Sequence, residues 1–115
     1  MGVEVISAEK SRIEGRLTVR EDLCTTGSIL HGGAVMALAD GLGAIGAFLN
    51  LPDGAGGTTT IESKTNFLGP APEGATVIAV ATPVKIGRRL SVWQTAIRQE
   101  NGKEVALVIQ TQLVL

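Results

Sequence analysis

The chain of 115 residues has one cysteine, no tyrosine and only 3% aromatic residues. A lone cysteine, Cys24, permits no intrachain disulfide, which fits a reducing cytoplasm. So few aromatic rings leave nothing from which to build an aromatic cage, so the composition does not point to an aryl ligand. Charged residues are only 18% of the chain and nearly balanced, with a net charge of -1. That balance gives no electrostatic case for nucleic acid or for an anionic membrane surface. The residues Met1 to Val5 lack a basic start and a long apolar run, and Ile6 stands where a myristoylation signal wants Ser or Thr. His31 and Cys24 each stand alone, so neither a metal nor an organic cofactor is expected. A soluble cytoplasmic protein is the expectation.

What is present is apolar. Hydrophobic residues make up 44% of a length that suits a single domain over 1–115. Sparse surface charge beside that content suits a subunit that hides part of its surface against another. Residues 3–9 and 12–20 read as two short strands, and 21–30 as a polar loop. From Gly32 to Leu49 the only charged residue is Asp40, and Val35, Leu38, Leu42, Ile45 and Leu49 recur at helical spacing. Glycines interrupt this segment and a carboxylate sits at its centre, which argues against a membrane span. Asn50-Leu51-Pro52-Asp53-Gly54 ends the helix. Strands are expected over 58–67, 75–83, 89–99 and 104–115, with Asn101-Gly102 turning the last pair. The fold class is therefore α+β, one long helix burying its stripe on an antiparallel sheet.

Gly41-Leu42-Gly43-Ala44-Ile45-Gly46 matches the dinucleotide pattern G-x-G-x-x-G, with Glu62 about twenty residues on. That motif works only where a strand ends and a helix begins. Here the pattern lies within a helical stripe, and no βαβ unit follows. The glycines need another explanation.

Asp40 lies opposite the leucine stripe, with Gly33, Met36, Ala37, Gly43, Ala44 and Ala47 on its side by a 100° helical count. Periodicity leaves two readings open. Asp40 is either a solvated residue on a surface helix or a partly buried functional carboxylate beneath a second protein surface. The absence of charged neighbours favours the second. His31-Gly32-Gly33 opens the helix, where the first N–H groups lack partners and the helix dipole is positive. This is either a glycine hinge capped by His31 or a one-armed oxyanion hole.

The stretch from Gly27 to Asp40, with His31-Gly32-Gly33 and Leu38-Ala39-Asp40, resembles the signature of hotdog-fold thioesterases of the phenylacetate-degradation and hydroxybenzoyl-CoA type. Thr65-Asn66-Phe67-Leu68-Gly69-Pro70-Ala71 and Lys85-Ile86-Gly87-Arg88-Arg89-Leu90 are similar to two further segments of that family, in the same order. The resemblance implies a hotdog fold, an antiparallel sheet wrapped around the helix. It also implies a homo-oligomer, a dimer or dimer of dimers, with sites at the subunit interface and no partner in nucleic acid or membrane. The implied activity is hydrolysis of an acyl-CoA thioester to free acid and coenzyme A. In that scheme the Gly32 N–H polarises the thioester oxygen and Asp40 of the other subunit attacks the carbon or activates water. His31 positions the helix start or the carbonyl, and Gly33 lies beside the substrate.

Thr25 stands where relatives often carry Asn or Gln against the thioester, a departure that puts its role in question. Thr60 falls where some relatives place a hydroxyl that orients the hydrolytic water, and it also reads as an ordinary strand residue. Lys85, Gly87, Arg88 and Arg89 would meet the phosphates of coenzyme A, or else form a solvated basic turn. Two rival readings are a non-catalytic acyl-CoA-binding protein on the same fold and a hotdog hydratase or dehydratase. A pure binder has little reason to place Asp40 beside a thioester. A hydratase needs a differently placed acid/base pair.

Overall fold

A computed structural model describes all residues 1–115. Strands β1 (Glu4–Glu9) and β2 (Arg12–Thr18) form a hairpin, and a short 3-10 turn at Glu21–Leu23 leads towards helix α1 (Gly32–Leu49). Strands β3 (Thr58–Phe67), β4 (Thr76–Ile86), β5 (Leu90–Gln99) and β6 (Glu104–Val114) follow. All pairings are antiparallel, in the order β1-β2-β4-β5-β6-β3. The sheet curls around the single helix, which packs against every strand. This is the hotdog arrangement that the resemblance implies.

Strand alternation explains the wrap. In β2, β4 and β5 every second residue is buried, and these include Ile13, Leu17, Val77, Ala79, Ala81, Trp93 and Ile97. They meet Val35, Leu38 and Leu42 from the helix, all fully buried. The helix is apolar and long enough to cross a membrane by length and composition, yet this stripe is the core of the domain. The expected strand 75–83 runs further, to Ile86. β2 pairs with β4 only as far as Ala81. Beyond that point Pro83 still pairs with Trp93 of β5, and a bulge between Pro83 and Lys85 absorbs the irregularity. Lys85 therefore lies in the strand and the turn begins at Gly87.

The glycines of the G-x-G-x-x-G segment serve packing. A Cβ on Gly46 would sit 2.5 Å from the Trp93 ring, and one on Gly43 would fall inside the Gln110 side-chain amide. Gly41 faces open space. Gly46→Ala gains helix propensity of about 1 kcal/mol, but it must displace a rigid ring in a filled core. The expected net loss is about 1–3 kcal/mol, read as a lower urea midpoint with an unchanged slope.

Gly43 and Ala47 are buried against this chain's own sheet, contrary to their expected place beside Asp40. The outward stripe is instead Gly33, Met36, Ala37, Asp40, Gly41 and Phe48, with Ala44 half-buried. The stripe runs beside β3, an edge strand with no fully buried residue. Ile61, Phe67 and Leu68 are all more than half exposed there.

Candidate active site

His31 is the N-cap of α1. Its Nδ1 accepts the Gly33 N–H at 2.9 Å, while its own N–H donates to the Leu23 carbonyl at 2.8 Å. An accepting Nδ1 places the proton of the neutral ring on Nε2. His31 thus fixes the helix start, one of the two roles the resemblance implies. With the Gly33 N–H occupied and Ala34 and Val35 bonded to the His31 carbonyl, the Gly32 N–H is left without an acceptor in the chain. A Cβ on Gly32 would lie 3.1 Å from the Phe67 ring, so the ring packs directly over this backbone. Gly32 opens onto a cleft of about 540 Å³, lined also by Thr25, Leu30, Val35, Phe67 and Leu68. Thr25 stands in this cleft, where its hydroxyl accepts the Gly27 N–H at 3.3 Å.

Asp40 is exposed in the single chain, so the burial expected of it is absent without a covering partner. Its Oδ1 accepts the Thr60 hydroxyl at 2.6 Å and the Gln110 amide at 3.3 Å. The Gln110 amide also reaches the Asp40 carbonyl at 3.4 Å. Asp40 Oδ2 has no partner in the chain. Behind Thr60, the Gln112 Nε2 donates to the Thr60 hydroxyl, and the Thr58 hydroxyl donates to Gln112 Oε1 at 3.0 Å. Gln110 and Gln112 are buried polar residues on β6. Sequence reading assigned them no role, although they keep the inward parity of Ala106 and Val108. Thr60 is thus tied directly to Asp40 and is more than a β-former.

Gly32 and Asp40 stand eight residues apart on one helix, roughly 12 Å along its axis. An oxyanion donor and a nucleophile must both come within about 3 Å of one reacting group. One chain cannot supply both to a single carbonyl.

Arg88 and Arg89 line an open hollow of about 660 Å³ with Pro52 and Asp53, at the C-terminal end of α1. Neither arginine is ion-paired within the chain. Lys85, paired with Val92 in the β4–β5 ladder, does not line this hollow.

A family model described as the thioesterase superfamily matches residues 27–106, which hold both Gly32 and Asp40. The chain belongs to the thioesterase superfamily. A protein of Haemophilus influenzae is 33% identical over 103 residues, covering 90% of this chain and 73% of the relative. A 1,4-dihydroxy-2-naphthoyl-CoA hydrolase of Listeria monocytogenes is 32% identical over 104 residues, 90% of this chain and 82% of its own. The solved structure of a thioesterase from Haemophilus influenzae superposes with a TM-score of 0.90 at 32% identity, covering 99% of this chain and 78% of that one.

As a thioesterase-superfamily member the chain is a thioester hydrolase. Desolvation, with the carboxylates of Glu73, Asp22 and Glu21 nearby, pushes the Cys24 thiol above its ordinary range. Its Sγ donates to the Arg20 carbonyl at 3.3 Å. A thiol held protonated is a poor nucleophile. No three His, Cys, Asp or Glu side chains converge as metal ligands would.

Proposed function

We propose that this protein hydrolyses an acyl-CoA thioester to the free acid and coenzyme A at a site shared between two subunits. The observation that carries this reading is the split of the machinery along α1. A free Gly32 N–H stands at one end and a hydrogen-bonded Asp40 lies roughly 12 Å away on the outward face. The free edge of β3 and the outward stripe of α1 offer the surface on which a second copy would complete the site. Antiparallel pairing of two β3 edges, centred near Ser63, lays Thr60 of one chain against Asn66 of the other. Asp40 then approaches the partner's Gly32 end, and the outward stripe meets its own copy.

In that arrangement the Gly32 N–H, reinforced by the helix dipole, donates to the thioester oxygen and stabilises the charge that develops there. Asp40 Oδ2 attacks the carbonyl carbon, or takes the proton of the water that attacks it. Both routes need the same oxygen at the same place. The thiolate of coenzyme A departs and water supplies the acid's second oxygen. The apolar cleft beside Gly32 receives the uncharged part of the substrate. The antiparallel pairing also turns the Arg88 and Arg89 hollow of one chain towards the Gly32 end of the other, where the nucleotide phosphates would lie.

The direct test is thiol release from a panel of acetyl-, hexanoyl- and benzoyl-CoA. Turnover of none of them would remove the reading. Arg88→Ala with Arg89→Ala should raise KM for the best of these at least about tenfold with little change in kcat, because phosphate contacts are the same in ground and transition states. A truncated thioester lacking the nucleotide should be hydrolysed as before. Equal losses on both substrates would assign the arginines to folding.

A further inference from the structure

We infer that Gln112, seated by Thr58, is a positioning residue that sets the direction of the Thr60 hydroxyl, so that Asp40 Oδ1 is held and Oδ2 is left to react. The inference rests on the function proposed above for Asp40 and goes beyond it. Thr60 has a single proton and an ionised carboxylate can only accept. An oxygen–oxygen separation of 2.6 Å between Thr60 and Asp40 requires that proton to lie between them, in the range of a charge-assisted bond. Gln112 must therefore present its amide N–H, and not its carbonyl, to the Thr60 oxygen. A reversed amide would offer Thr60 a competing acceptor and draw the proton away from Asp40.

Thr58 holds the amide the right way round. Its hydroxyl donates towards Gln112 Oε1 at 3.0 Å and the Leu113 carbonyl at 3.1 Å, one proton shared between two acceptors. The donors thus run in one direction, Thr58 to Gln112 to Thr60 to Asp40. Gln112 is 1% exposed, so water cannot replace a missing member of the chain from its side. No charged side chain competes within it: Thr58 and Thr60 come from β3, Gln110 and Gln112 from β6, and Asp40 is the only charged residue of α1. The result is a carboxylate with one oxygen fixed by two donors and the other without a partner in the chain. A freely rotating aspartate would spend much of its time elsewhere.

The test is a kinetic cycle on the intact protein with the fastest substrate of the acyl-CoA panel. Gln112→Met keeps the length and apolar fit but removes both polar atoms. It should lower kcat about tenfold or more while KM stays within about twofold. Thr60→Val should do the same and Thr60→Ser should retain activity. In the Thr60→Val background, Gln112→Met should cost nothing further, because it acts through the hydroxyl already lost. Should Gln112→Met fail to fold, Thr58→Val cuts the same chain at the half-buried start of β3. It should give a several-fold kcat loss that likewise vanishes with Thr60→Val. An unchanged kcat in the folded variant, or losses that multiply in the double variant, would overturn the inference while the hydrolase reading stands. A wild type that releases no thiol from any of the panel removes both.

Discussion

Asparagine in place of Asp40 lowers thioester turnover by about a hundredfold or more, the low end for loss of a general base. The geometry makes this a clean change. Asparagine Oδ1 still accepts from Thr60 and Gln110, so the side chain stays where it is, and only the free oxygen becomes an amide nitrogen. Asp40 is exposed in the single chain, so the stability of the subunit should move by no more than about 0.5 kcal/mol. Binding of free coenzyme A should be unchanged, because the proposed phosphate contacts lie at Arg88 and Arg89 and not at Asp40. Thiol-release kinetics, their inhibition by free coenzyme A, and urea unfolding on the same preparation check the three statements together. Turnover within a few-fold of wild type would remove Asp40 from the mechanism.

Proline in place of Gly32 lowers kcat by about a hundredfold to a thousandfold, the effect of deleting one oxyanion donor. Gly32 occupies the first helical position, where proline is well accommodated because its N–H is not needed for the helix. The preceding His31 has φ -63° and ψ 137°, a conformation that a following proline permits. The ring atoms must push aside the Phe67 ring, which is 57% exposed and free to give. The substitution therefore removes a single hydrogen atom's worth of chemistry with little cost to the fold. Gly32→Ala is the control, since it adds the Cβ that meets Phe67 in both variants but keeps the N–H. Equal losses in the two variants would mean that crowding, and not the donor, is responsible.

Sequence made some of this legible and hid the rest for physical reasons. The helix bounds, Gly32 to Leu49, were readable because the apolar stripe has a clear period and turn residues close it. The strand ends were less so, since the tolerance of Pro83 depends on where the neighbouring strand stops. The face of the helix was misread at Gly43 and Ala47. A residue with little or no side chain declares no preference in a periodic count, and the curled sheet covers more of the helix than one leucine stripe suggests. Small residues there let Trp93 and Gln110 approach, and the outward smoothness is confined to Gly33, Ala37, Gly41 and Ala44. The pairing of Thr60 with Asp40 needed the register of β3 on β6, which no local pattern encodes. Gln110 and Gln112 had one usable signal, two amides at the same inward parity as Ala106 and Val108. The family signature supplied Gly32 and Asp40. The hydrogen bonds that orient Asp40 come from the fold.

The central claim is that Gly32 and Asp40 act on one thioester from different chains, and subunit mixing tests it directly. Asp40→Asn and Gly32→Pro proteins are each nearly inactive by expectation. They are co-expressed with different tags, or unfolded together and refolded, and thiol release is measured on the mixture. In a mixed dimer one site receives the intact Gly32 of the first chain and the intact Asp40 of the second, while the other site receives both lesions. With random pairing about half of the dimers are mixed and half of their sites are intact, so activity should recover to about a quarter of wild type. A mixture no more active than its two components, with mixed dimers demonstrated by the tags, would show that each chain holds a complete site and would contradict the account.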